Sequence, residues 1–359
     1  MPSKSYMYIL FLFIQATSMH ATYSLDELLH LGKTCKHAGL YERAISYLSE
    51  AHTHAPEHSQ VNWELGDCYL ALGDLTKGFN GFAYRWKHDR RYVNRHKSES
   101  RKSESSNFAG KKILIKSQWH ISNTLLNLRF LKLLQEEGAY IILEEEEKYH
   151  ALVKHCPYIN QIVSPRELHS EHDIIMPIMY LPILFNTTIN TIPSATGTLI
   201  PDAQYVKKWQ QKMDTKHEKS FAVGVHMPEV SSEIKKRLCE CIPNLSWHTF
   251  NSLGLKQEDY AEELARLNTF DLIITSDNIT AMCAACMGKL TWVITEPVTD
   301  WFWLTQRADS PWFASIRLFR KTWHDYNSVI EKITAGVALV AHQKLSFKRQ
   351  SYLDNQACL

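Results

Sequence analysis

A 34-residue internal repeat constrains this chain more than any other feature. With Leu25–His58 written above Ser59–Tyr92, Leu31 falls on Leu65, Gly32 on Gly66, Cys35 on Tyr69, Gly39 on Gly73, Ala44 on Gly78 and Leu48 on Phe82. A constant offset at six positions means one structural unit copied in tandem. Each unit reads as two helices joined at a glycine, Ala38-Gly39 or Leu72-Gly73, and Pro56 ends the first unit because proline cannot continue a helix. Gly32 and Gly66 are predicted to let the two helices of a unit approach, and Ala44 and Gly78 to do the same between units. Two units are fewer than such stacks need for a continuous core, so they are expected to lean on the rest of the chain.

Length and charge bound what that rest can be. The 359 residues leave room for two or three domains. A net charge of +2 gives no basic surface for nucleic acid or an anionic membrane, so neither is expected as a partner. Lys4, the apolar run Tyr6–Ile14 and the small residues Ala16 and Ser18 have the layout of a secretory signal peptide over residues 1–21. The competing reading is a first helix buried on the repeats. The run is about half the length that crosses a bilayer, so no transmembrane span is expected. A signal peptide would place the protein in the periplasm or outside the cell; without one it is cytoplasmic.

Eight cysteines would allow disulfides in an exported chain, but their positions argue otherwise. Cys35 and Cys68 occupy repeat positions that are normally buried, where cysteine acts as a small hydrophobe. Cys283 and Cys286 lie in an apolar helical run, and the Cys239-x-Cys241 spacing chelates poorly, so no metal site and no redox role are expected.

Lys97–Asn107 is polar and serine-rich and reads as part of an exposed linker, residues 97–110. Beyond it the pattern alternates. Strand-like runs at 112–116, 140–143, 161–163 and 173–176 are separated by helical ones at 123–137 and 147–155. A second series has strands at 221–226, 247–251, 271–275 and 289–294, and helices at 232–240, 258–268, 278–287 and 325–340. Alternation of this kind predicts an α/β fold with parallel sheets, here two Rossmann-like lobes. The expected order is repeats at 22–96, a first lobe at 111–215, a second at 216–340 and a tail at 341–359. Parallel sheets bind ligands beyond the C-terminal ends of their strands, which makes the cleft between lobes the expected site.

The segment Asp300–Arg320 (DWFWLTQRADSPWFASIRLFR), with Tyr84-Arg85-Trp86 and Pro177–Pro193, resembles bacterial tetratricopeptide-repeat proteins whose second part is similar to glycosyltransferase family 9 and to O-GlcNAc transferase. The resemblance covers roughly Leu25–Ile333 and implies the two-lobed GT-B fold, a nucleotide sugar as substrate rather than any bound cofactor, and a protein or peptide partner held by the repeats. The family's first strand enters a loop of the type Glu-Gln-Gly-Leu-Gly-Asp-Thr. Here that loop is Gln118-Trp119-His120-Ile121-Ser122-Asn123-Thr124. Both glycines are replaced, and the family's candidate base is Asn123, an amide that accepts no proton at neutral pH. Thr124 is kept. The family's Asp-Thr-x-x-x-His element is Asp277-Asn278-Ile279-Thr280-Ala281-Met282. Asp277 stays, but Met282 offers a phosphate no donor. The Trp-x-Gly loop and Arg-Ser pair are replaced by His226-Met227-Pro228-Glu229.

The donor-site candidates are therefore Gln118, Asn123, Thr124, Asp277 and Asn278, with His120 as a weak substitute base. Each has a plainer reading. Asp277 is expected to cap the following helix, and Gln118 and His120 to be loop surface. Trp301, Trp303 and Trp312 are read as an aromatic cluster between lobes, with a sugar-stacking role for Trp301 and Trp303 in the cleft as the alternative. His248 and His324 read as ordinary. Taken together these losses favour a degenerate scaffold or protein-binding adaptor, with an active glycosyltransferase as the alternative.

Overall fold

The computed structural model describes residues 23–88, 108–165, 171–213, 220–227, 232, 234–237, 242, 245–250, 260–322 and 327–357, and only the helical backbone of 85–88 and 345–357. The proposed signal peptide, linker residues 97–107, Pro228, Glu229, Cys239, Cys241 and His324 lie outside the described residues.

Both repeats form helical hairpins, α1 (Leu25–His37) with α2 (Tyr41–His54) and α3 (Ser59–Leu72) with α4 (Leu75–His88). A capping box starts α1: Ser24 Oγ accepts the Glu27 N–H, and the Glu27 carboxylate accepts the Ser24 N–H at 2.8 Å. The turn glycines Gly39 and Gly73 hold φ of +75° and +89°, the left-handed region that favours glycine. A Cβ on Gly66 would lie 2.7 Å from Gly78 O, so α3 and α4 meet backbone to backbone. Gly78 departs from expectation, because its tight neighbour is Leu70 of its own unit rather than a residue of the other repeat.

The first lobe carries β1 (Lys112–Lys116), α5 (Ile121–Glu136), β2 (Tyr140–Glu144), α6 (Glu147–Val153), β3 (Gln161–Val163), β4 (Ile174–Pro177) and α7 (Leu181–Leu184). After α8 (Ala203–Lys212) the second lobe carries β5 (Phe221–His226), β6 (Leu245–Thr249), α9 (Tyr260–Thr269), β7 (Leu272–Ser276), α10 (Ile279–Cys286), β8 (Thr291–Thr295), β9 (Ile316–Arg320) and α11 (Asn327–Ala357). Every described strand pair is parallel, in the orders β3-β2-β1-β4 and β6-β5-β7-β8-β9. Ile113, Leu114 and Ile115 of β1 are all fully buried, as expected of a parallel strand covered on both faces. The chain thus joins helical repeats to two parallel α/β lobes. The edge strand β9 is additional to the predicted strands. Helix α11 runs past residue 340 because no glycine or proline stands between Val340 and Ala357 to stop it.

One apolar core runs from the repeats into both lobes. Helix α3 lies on the short turn Trp301–Trp303, α4 on α7, and α5 on α10. Phe79 of α4 meets Trp301 and Trp312 edge-on, with ring centroids 5.7 and 6.4 Å apart. The Thr305 N–H donates to the Ala71 carbonyl at 3.0 Å. The short stack finds its missing neighbour in its own chain, and helix α8, which precedes the second lobe, packs on α9.

Candidate functional site

Strand order reverses between β1 and β4 in one sheet and between β5 and β7 in the other. A crevice opens beyond the carboxyl ends of strands at such a reversal, so the loops leaving β1, β5 and β7 are where a ligand would sit.

In the first lobe, Gln118 is buried rather than loop surface, while His120 is exposed. Between them Trp119 holds φ +61°, a left-handed value unusual for so bulky a side chain. Its ring stands edge-on to Trp63 of α3 (5.3 Å between centroids) and Phe82 of α4 (6.4 Å). The repeats therefore wedge against the loop that carries glycines in the resembled family. Asn123 Nδ2 donates to the Gln118 carbonyl at 3.2 Å, which ties the loop to the first turn of α5. The Thr124 hydroxyl donates to Glu145 Oε2 at 2.6 Å, deep in the lobe, and the Glu146 N–H donates to Glu145 Oε1 at 2.9 Å. Burial raises the Glu145 carboxyl, and these donors partly offset it. Thr124 thus serves an internal carboxylate that sequence reasoning missed. The signal available was the acidic run Glu144–Glu147 at the end of β2.

In the second lobe, Asn278 rather than Asp277 caps α10. Its Oδ1 accepts the Thr280 N–H at 2.9 Å and the Ala281 N–H at 3.2 Å. Its Nδ2 lies 2.9 Å from His226 Nδ1, 3.1 Å from Thr275 Oγ1 and 3.0 Å from Ser276 Oγ, three acceptors for two hydrogens. His226 ends β5, and its ring lies 5.6 Å from that of Phe250. This His226–Thr275–Asn278 network stands at the strand-order reversal. His226 was not foreseen as a site residue, since nothing local links it to a turn fifty residues on.

Asp277 is open to solvent on one side and enclosed by protein on the other. That enclosure pushes its carboxyl up to about 6, Asp300 adds to the rise, and Trp303 and Arg320 oppose it. The Trp303 N–H faces the carboxylate without a hydrogen bond of standard geometry. Asp300 is raised by burial and by Asp67 of α3, and drawn down by His120. The mouth between repeats and lobes is therefore rich in carboxylates.

Trp303 and Trp312 are fully enclosed, and Trp301 is 8 % exposed. They form the aromatic cluster between repeats and second lobe, and neither Trp301 nor Trp303 offers an open face to a sugar. Arg320 fastens this region by donating to the carbonyls of Trp303 (2.8 Å), Leu304 and Arg307 (3.2 Å). Cys283 and Cys286 are buried in α10, and burial pushes both thiols up, away from the thiolate that metal binding or redox chemistry needs. His248 packs on Phe270 and bonds Ser246 at 2.8 Å. Among the described residues no group of three or more His, Cys, Asp or Glu is placed to hold a metal ion, and no helix is long and apolar enough to cross a membrane.

Residues 37–78 match the tetratricopeptide-repeat family model. The tetratricopeptide segment is thus the part of the chain with a sequence-level match, and no curated protein matches. Among solved structures the chain is similar to a glycosyl transferase family 9 protein from Veillonella parvula DSM 2008, at 12 % identity and a TM-score of 0.46, over 67 % of this chain and 98 % of that one. It is similar to the E. coli ADP-heptose lps heptosyltransferase II at 11 % identity and a TM-score of 0.45, over 65 % and 99 %. A mutant O-GlcNAc transferase from Thermobaculum terrenum aligns over 92 % of this chain and 90 % of its own, at 11 % identity and a TM-score of 0.22.

Proposed function

We propose that this protein is a glycosyltransferase-like scaffold whose nucleotide-sugar site no longer works and whose tetratricopeptide segment serves a protein partner. The observation that carries this reading is Asn278. A phosphate at the start of α10 would take the free N–H groups of the first turn, and Asn278 Oδ1 already accepts those of Thr280 and Ala281. Asp277 and Asp300 stand beside that turn, so a diphosphate would meet carboxylates. In the first lobe Thr124 is engaged by Glu145, and His120 and Ser122 stand where the resembled family has the glycines that admit a backbone–phosphate contact. The second repeat is seated on the lobes and the turn of the first touches Val298 of the second lobe, which leaves the outer faces of the first repeat as the surface for a protein or peptide. Export, if residues 1–21 are cleaved, would further separate the protein from cytoplasmic nucleotide sugars.

Thermal unfolding with UDP, ADP and GDP at millimolar concentration tests this. Ligand at a hundredfold excess over its Kd stabilises a native state by about 2.7 kcal/mol. The expected result is no change with any of the three; a reproducible rise with one would sink the proposal. Active transfer is the second reading, and His226 is the observation in its favour: an imidazole at the crevice, held 2.9 Å from Asn278. Were transfer detected, His226→Ala and His120→Ala would decide which imidazole serves as base.

A further inference from the structure

Arg129 is the largest buried charge without an obvious reason to be there. It lies on α5, 1 % exposed, and among the described residues no carboxylate pairs with it. Burial lowers its pKa to about 10. A lone buried cation is costly, by several kcal/mol even after relaxation, so the contacts it makes should identify its task.

Those contacts come from three separate parts of the chain. Nε donates to the Leu126 carbonyl of its own helix at 2.8 Å. Nη1 donates to the Pro193 carbonyl, in the segment between lobes, at 3.0 Å, and to the Trp312 carbonyl in the second lobe. The guanidinium lies 5.3 Å from the centroid of the Trp312 ring and 4.7 Å from that of Phe313. A planar fork with several fixed donors is the side chain able to satisfy carbonyls on different segments while stacking on aromatic rings.

Neighbouring contacts lie on the same seam. Cys286, at the end of α10, donates from Sγ to the Leu125 carbonyl of α5 at 3.5 Å, and its own carbonyl accepts the Gly197 N–H at 2.9 Å and the Thr198 N–H at 3.2 Å. A Cβ on Gly288 would fall 2.6 Å from Thr196, so the connecting segment is pressed against the second lobe. Outside the seam the second repeat spans the two lobes: Gly73 sits 3.7 Å from Leu304 and, on the other side, 3.9 Å from Ile189, measured from a Cβ built on it.

We infer that Arg129 is an inter-lobe latch that holds the two lobes in a single relative orientation, so that the cleft is preset rather than opened and closed by a hinge. This holds whether or not the cleft takes a nucleotide, and its test does not use activity. Spin labels introduced as non-canonical amino acids at Lys132 on α5 and Lys332 on α11, both exposed, would report the inter-lobe distance in the full chain with its native cysteines intact. The wild-type protein should give one narrow distance distribution, unchanged by millimolar UDP or ADP. Arg129→Met, which keeps the apolar stem and removes the donors, should broaden that distribution and speed amide exchange in α5 and in residues 186–200 by about tenfold or more, while strands within each lobe stay protected. Arg129→Lys, with charge but no fork, should fall between the two, and it stands in if the Met variant does not fold. A broad or two-peaked distribution in the wild type, or Arg129→Met and Arg129→Lys both as narrow as wild type, overturns the inference.

Discussion

The strand-to-helix turns of the two lobes occupy equivalent places and are closed in different ways. Before α10 the closure is local: Asn278 folds back and satisfies the first turn itself. Before α5 the N-cap residue His120 makes no side-chain bond to the helix, Asn123 gives one bond back to the Gln118 carbonyl, and the turn is held chiefly from outside by Trp63 and Phe82 of the repeats against Trp119. One turn is sealed by a single hydrogen-bonding side chain, the other by tertiary packing. The two should therefore fail under different substitutions.

The largest effect is expected at the packed turn. Phe82→Ala removes a 3 %-exposed ring that touches Trp63, Trp119 and Trp301, and should cost about 3–5 kcal/mol. Denaturant unfolding should show that loss in one transition for the whole chain, and amide exchange should rise at residues 117–121 while α10 stays protected. A loss confined to a separate early transition of the repeats would mean that they do not hold the turn.

At the self-sealed turn the effect is smaller and local. Asn278→Ala should cost about 1–2 kcal/mol as a lost cap and free the N–H groups of Thr280 and Ala281, while leaving exchange at residues 117–121 unchanged. Chemical-shift perturbation by sulfate at Thr280 and Ala281, present in this variant and absent in wild type, would sharpen the contrast. Perturbation of equal size in both would break it.

Asp277 brings a pH dependence to the same turn. Its folded pKa of about 6 lies above the usual carboxylate value, so the native state holds a proton that the unfolded chain releases. That contribution is present in full below about pH 4 and is lost as pH rises through 6. Asp277→Asn should flatten stability between pH 4 and 6 and stabilise the protein at pH 7 by no more than about 1 kcal/mol, because solvent reaches the residue. An unaltered pH profile would remove Asp277 from the account.

The smallest change expected is a gain. His120→Ser supplies the cap that α5 lacks and should add about 0.5–1 kcal/mol, read as a modest shift in the denaturant midpoint. A Ser at this position that changes nothing would mean that the packing of Trp119 already fixes the turn.

Much of the architecture was legible in the residues alone. The 34-residue offset located both hairpins and their left-handed glycines, and apolar periodicity located most strands and helices, because each pattern reports the burial of a face a few residues long. Asp277 and Asn278 were both marked, but which of them caps α10 turned on the extended backbone at 278. The tryptophans were legible as buried aromatics; that they bind the repeats to the second lobe was not. His226 meets Asn278 only because β5 lies beside β7, and Thr124 meets Glu145 only because β1 lies beside β2. Repeat, helix and strand are properties of short windows and were set by sequence alone. The pairing of side chains twenty or more residues apart, and with it which groups meet at the site, was decided by strand order and by how the repeats dock, where the energy of a contact depends on neighbours that the window never contains.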